Sequence, residues 1–190
     1  MKRLIKPFSL ILLTISLITG CKKKEDPAPV NQEELITTVR LTFTEVGTTN
    51  SSTFVFRNPN GVGSGNPTKF DQIMLDKSTS YKMTIELLDE SKTPALDITE
   101  EVAEEDDEHL FVYTSSPANL MTITITDRDA NSLPVGLEAD VVTGATATSN
   151  GKLKVQLRHQ PPINNQRAKN GTPGPGSDDI NIEFNVMIHD

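Results

Sequence analysis

The sequence predicts an all-β fold: an immunoglobulin-like antiparallel β-sandwich of about eight or nine strands, with a short acidic helix or loop. Three observations predict it. Apolar residues recur at every second position in one run after another, Gly, Pro, Asn and Asp separate the runs, and no stretch sustains a helical period. Each run would bury one face and wet the other, as antiparallel strands do.

In chain order, Val39, Leu41 and Phe43 alternate with Thr38, Arg40, Thr42 and Thr44, and a weaker run covers Thr53 to Arg57. Phe70 to Leu75 reads as one further weak strand. Tyr81, Met83, Ile85 and Leu87 alternate with Lys82, Thr84 and Glu86, and Leu110 to Thr114 is again weak. Met121, Ile123 and Ile125 alternate with threonines, and Leu137 to Val142 follows. Leu153, Val155 and Leu157 alternate with Lys152, Lys154, Gln156 and Arg158, and Ile180, Ile182, Phe184, Val186 and Ile188 close the series. Asn58-Pro59-Asn60-Gly61 and Ser149-Asn150-Gly151 read as hairpin connections, and the glycines of Gly61-Val62-Gly63-Ser64-Gly65 as a hairpin loop. Gln160 to Asp179 is a long Pro- and Gly-rich loop, of the kind that is either functional or mobile.

The chain has 190 residues, 26 Asp+Glu, 18 Lys+Arg and a net charge of −8. That balance argues against nucleic acid, which rewards basic patches. A single Cys excludes an internal disulfide framework, and the absence of Trp leaves little aromatic platform for sugars.

Residues 1–20 read as a leader. Met1-Lys2-Arg3 and Lys6 give a basic start, and Phe8 to Thr19 is an uncharged, mostly apolar stretch too short to span a bilayer. Ile18-Thr19-Gly20-Cys21 resembles the bacterial lipobox, which makes Cys21 the expected lipidation site and the membrane a partner through its acyl chains. Loss of the leader, with three basic residues and no acid, takes the net charge from −8 to −11. Residues 21–34 carry the lipidated Cys and a charged, Pro-containing tether, and 35–190 form the single expected domain. Glu25-Asp26 after Lys22-Lys23-Lys24 resembles the surface-export signal of Bacteroidota lipoproteins.

Three places can carry chemistry. The first is the acidic run from Asp97 to His109. Asp97 and Glu100 have the spacing of a capping box, so a short helix fits. It would stack Glu100 on Glu104, Glu101 on Glu105 and Glu104 on Glu108, at roughly 0.2–0.5 kcal/mol per like-charge pair. A cation or basic partner would relieve that repulsion; a solvated acidic loop is the plain alternative. The second is Asp127-Arg128-Asp129-Ala130-Asn131, whose alternate oxygens match the start of a calcium loop, with Glu138 at the twelfth position. Ser132 stands where that loop needs Gly, and an ordinary turn explains the same residues. The third is histidine. His109, His159 and His189 lack H-x-H or H-E-x-x-H spacing, so a zinc site must be assembled across strands, with His109, His159, Glu105, Asp106 and Glu108 as candidate ligands.

No G-x-S-x-G elbow, Walker loop or dinucleotide fingerprint occurs, so a non-enzymatic chain is expected. The lipobox, the acidic tether, Ile98-Thr99-Glu100-Glu101 leading to Glu108-His109-Leu110-Phe111, Asp127-x-Asp129-x-Asn131 before Pro134-Val135-Gly136-Leu137, and Leu157-Arg158-His159-Gln160-Pro161 together resemble a family of small, uncharacterised Bacteroidota outer-membrane lipoproteins. That resemblance implies association with TonB-dependent receptors and a part in nutrient capture. The sequence therefore predicts a monomeric, outer-membrane, lipid-anchored binding protein, with zinc or calcium as candidate cations and isolated surface histidines and a plain turn as the alternatives to a metal site. A structural or adhesive surface module binding protein or polymer is the second expectation, and an enzyme the third.

Overall fold

A computed structural model describes residues 34–190; the leader, Cys21 and the tether through residue 33 lie outside the described residues. The described strands are β1 (Thr38–Glu45), β2 (Ser51–Arg57), β3 (Lys69–Phe70), β4 (Ile73–Asp76), β5 (Ser80–Asp89), β6 (Leu96–Asp97), β7 (His109–Ser116), β8 (Met121–Ile125), β9 (Glu138–Thr143), β10 (Thr148–His159) and β11 (Ser177–His189). One helix, α1 (Ile98–Glu104), lies between β6 and β7. One sheet runs β3-β2-β1-β5-β9-β8, with β6 paired to the end of β5; the other runs β4-β11-β10-β7. The chain is an all-β sandwich.

Alternation explains the core. Val39, Leu41 and Phe43 of β1, Met83, Ile85 and Leu87 of β5 and Val141 of β9 are buried from the first sheet. Phe111 of β7, Leu153, Val155 and Leu157 of β10 and Ile180, Phe184 and Val186 of β11 are buried from the second. Each such side chain removed from water contributes roughly 1.5–3 kcal/mol. Phe70 joins the layers, with its ring centroid 5.0 Å from both Phe56 and Phe184 in edge-to-face contact.

Three expectations are corrected. The described strands number eleven, because two-residue pairings at β3 and β6 leave no alternation to read. Phe70 to Leu75 is two strands in different sheets, broken at Asp71, whose amide and carboxylate both bond the Val55 backbone. Ser149-Asn150-Gly151 is no hairpin turn; it lies inside β10, where the register against β11 slips by one residue. Gly151 is there for close approach, since a Cβ would lie 2.6 Å from Leu120 Cδ1. One pairing, β4 with β11, is parallel, a direction that alternation does not encode.

The acidic run forms α1 and then stops. Asp97 caps it by accepting from Thr99 N at 2.9 Å, and Ile98 and Val102, four apart, bury against the first sheet. The helix ends at Glu104, before another turn would stack Glu104 on Glu108.

Candidate metal centre

Sheet register brings two histidines together from fifty residues apart. His109 opens β7, His159 closes β10, and the two are direct cross-strand partners. Directly opposed residues hold their Cβ atoms about 5 Å apart. The rings accordingly stack, with centroids 4.7 Å apart and planes within 13°. Both continue the inward-facing alternation, His159 after Leu153, Val155 and Leu157 and His109 before Phe111, so imidazoles stand at core-facing positions. The Glu105 carboxylate joins them from the turn after α1, and one ligand atom from each of Glu105, His109 and His159 lies within 4.8 Å of the others.

Burial pushes the His109 pKa down to about 4; the nearby charges of His159 and Lys169 act in the same direction, and the Glu105 backbone opposes them. The ring is therefore neutral. Its Nδ1 lies 3.1 Å from the Glu105 carbonyl oxygen, which can only accept, so the proton sits on Nδ1 and the lone pair on Nε2. That Nε2 is buried and has no hydrogen-bond partner among the described residues. Asp179 Oδ2 lies 3.9 Å away. His159 Nε2 lies 3.5 Å from Glu108 Oε2.

Asp179 reaches this place through a β-bulge. Leu157 pairs with Ile180 but Arg158 pairs with Asp178, which leaves Asp179 as the extra residue of β11. A bulge turns one side chain away from the alternation. Asp178 meets Arg158 Nη1 at 2.5 Å, whereas the Asp179 side chain is 3% exposed and faces His109. Glu34, in the segment leading into β1, shares a cavity of about 250 Å³ with Asp178, Asp179, Asn60, Gly61 and Ser64. Burial, with the neighbouring carboxylates of Glu101, Asp179 and Glu105, raises Glu34 to about 7. Its Oε2 is buried without a hydrogen-bond partner among the described residues.

The calcium candidates lie in a different setting. Asp127 accepts from the backbone amides of Gly136, Leu137 and Glu138 at 2.8–3.2 Å. Asp129 Oδ1 accepts from Asn131 N and Leu133 N, and its Oδ2 lies 3.1 Å from Lys169 Nζ. Burial raises the Asp129 pKa, but these amides and Lys169 more than offset it and hold the carboxylate below its ordinary value. Asn131 is exposed at the tip. Lys169, 1% exposed, also donates to the Asp106 carbonyl at 2.6 Å and so pins the Pro- and Gly-rich loop to the acidic turn.

The structure thus gathers His109, His159 and Glu105, with Glu108 against His159, while the recorded contact of Asp106 is its main-chain carbonyl. His189 is remote from this group, paired with Asp76 at 3.1 Å. Sequence reasoning missed Glu34, Asp179 and Lys169. Only the doublet Asp178-Asp179 before an apolar alternation hinted at a bulge. No protein-family model, curated protein or solved structure matches the chain.

Proposed function

We propose that this chain is a non-enzymatic binding lipoprotein, anchored to the outer membrane through Cys21, that holds a divalent transition-metal cation at His109, His159 and Glu105 as a capture accessory of an outer-membrane receptor. One observation carries the cation: one ligand atom from each of His109, His159 and the Glu105 carboxylate lies within 4.8 Å of the others at a sandwich end, where His109 Nε2 is buried without a hydrogen-bond partner among the described residues. An imidazole that donates Nδ1–H to a carbonyl and keeps Nε2 open is oriented as metal-bound histidines are. Mixed nitrogen and oxygen donors suit zinc or iron(II) better than calcium.

The test is the thermal midpoint of the full chain in EDTA and then with zinc. A ligand at 100 times its Kd stabilises the native state by about 2.7 kcal/mol, or roughly 5–10 °C for a domain of this size. The rise should vanish in His109→Ala and in His159→Ala. No zinc response would overturn the metal reading and turn attention to a surface module. Palmitate labelling lost in Cys21→Ser tests the anchor separately.

A further inference from the structure

We propose that the loop from Gln160 to Gly176 is a strap on the metal centre, fastened to the same two segments that carry its ligands, so that a bound cation holds the loop closed and an opened loop releases the cation. This rests on the metal reading above and adds its regulation.

Three fastenings support it. First, His159 stands between two residues that grip the loop. Arg158 Nη2 donates to the carbonyls of Pro175 at 2.9 Å and Gly176 at 2.6 Å, and Gln160 Nε2 donates to those of Thr172 at 2.8 Å and Pro175 at 3.1 Å. Second, the end of the loop lies directly on the His159 main chain. A Cβ at Gly176, where φ is +77°, would fall 1.8 Å from the His159 carbonyl oxygen, so no other residue fits there. Third, the loop holds the turn that bears Glu105. Lys169 Nζ donates to the Asp106 carbonyl at 2.6 Å, and Gln160 N donates to the Glu108 carbonyl at 2.6 Å. The Glu105 carbonyl meets His109 Nδ1 at 3.1 Å, so that ligand and loop together hold the turn.

None of this is sheet pairing, since no strand lies between β10 and β11. Gln160 is 0% exposed, and its Oε1 is buried without a hydrogen-bond partner among the described residues, which costs stability. What its Nε2 holds accounts for its place there. A ligand shifts a conformational equilibrium only through its difference in affinity for the two states. With the loop closed, ligand atoms of Glu105, His109 and His159 lie within 4.8 Å of one another. Release of the loop frees the segments carrying His159 and Glu105 to separate, so the open state binds a cation more weakly. By reciprocity the cation favours closure.

The experiment has two arms on the full chain. Hydrogen exchange is followed by mass spectrometry in EDTA and in zinc chloride. Zinc should slow exchange across residues 169–176 at least about tenfold, and leave the β1–β2 turn within about twofold. Zinc release is then timed by mixing the loaded chain with excess of the chromophoric chelator 4-(2-pyridylazo)resorcinol. Gln160→Met removes the two bonds from Nε2 and keeps every ligand; it should release zinc at least about tenfold faster than wild type. Leu41→Ala, which lowers stability from the other sheet, should release it within about threefold of wild type, a result that a merely structural Gln160 would not distinguish from its own. Zinc binding with loop exchange unchanged and Gln160→Met releasing like wild type would overturn the strap and leave the metal reading standing. No zinc binding by the wild type in calorimetry would overturn both. Should Gln160→Met fail to fold, the wild-type exchange arm decides alone: loop protection by zinc supports the strap, and its absence overturns it.

Discussion

Two buried polar clusters lie within this sandwich, and they resolve their charge in opposite ways. Around Asp129 the chain supplies its own balance: Lys169 faces one carboxylate oxygen, backbone amides face the other, and Asp127 takes three more amides. Around His109 the balance is thinner: Glu34, Glu101 and Glu105 have no Lys or Arg ion-pair partner among the described residues, and His109 Nε2 and Glu34 Oε2 have no hydrogen-bond partner among them. Both regions look like cation sites in sequence. Acidic residues at ligand spacing are thus a weak sign, and what separates the two is whether the fold has already spent their oxygens.

The contrast is easiest to break at Lys169. Lys169→Met leaves the Asp129 carboxylate buried and unbalanced, and should cost about 3–5 kcal/mol by urea denaturation. Asp129→Asn in the same chain should recover part of that loss. A cost below about 1 kcal/mol would show that the pair is wetter than its burial indicates.

Gly136→Ala strikes the same cluster through its backbone. Gly136 has φ +101°, its amide serves Asp127, and a Cβ would lie 2.6 Å from Phe111 Cβ. Strain and crowding should together cost about 2–3 kcal/mol, read by the same titration.

The other cluster is sharpened by pH in EDTA. Glu34 is raised from 4.5 to about 7, so the folded chain keeps a proton that the unfolded chain has released. Its contribution is complete below about pH 4.5 and is lost as pH rises toward about 7. Glu34→Gln should therefore match wild type near pH 4.5 and exceed it by about 1 kcal/mol near pH 8, after allowance for the partly exposed site. Equal stability at both pH values would remove the charge crowding from the argument.

The smallest effect is expected from calcium. Because the Asp127 and Asp129 oxygens already accept from amides and face Lys169, calcium should move the midpoint by no more than about 1 °C where zinc moves it several. A calcium rise abolished by Asp127→Ala would reverse the contrast.

The sandwich was legible because alternation is a local signal: Leu153, Val155 and Leu157 or Ile180 to Ile188 announce which face is buried without reference to partners. Direction was not, so the parallel pairing of β4 escaped, and neither was the one-residue slip at Asn150-Gly151. The same division applies to the site. His159 continues a readable alternation and His109 precedes one, so both could be singled out, yet their stacking depends on a register set by the whole of β7 and β10. Asp179 turns inward because of a bulge, and Lys169 is buried within a loop that composition marks as solvent-facing. Such positions follow from tertiary placement, which no window of the sequence contains.

The centre of the smaller sheet is β11, flanked by β4 and β10, and it supplies Ile180, Ile182, Phe184, Val186 and Ile188 to the core. It is also synthesised after every other described strand. Until it arrives, β4 has no neighbour, β10 lacks one of its two, and half of one layer is missing. The smaller sheet of a nascent chain therefore closes late, in part through the β4–β11 pairing, which is distant in sequence and of the slow kind. Shortening the domain at Ser177 would remove the middle of a layer rather than trim an edge, and would leave two bare strand edges open to association with other chains.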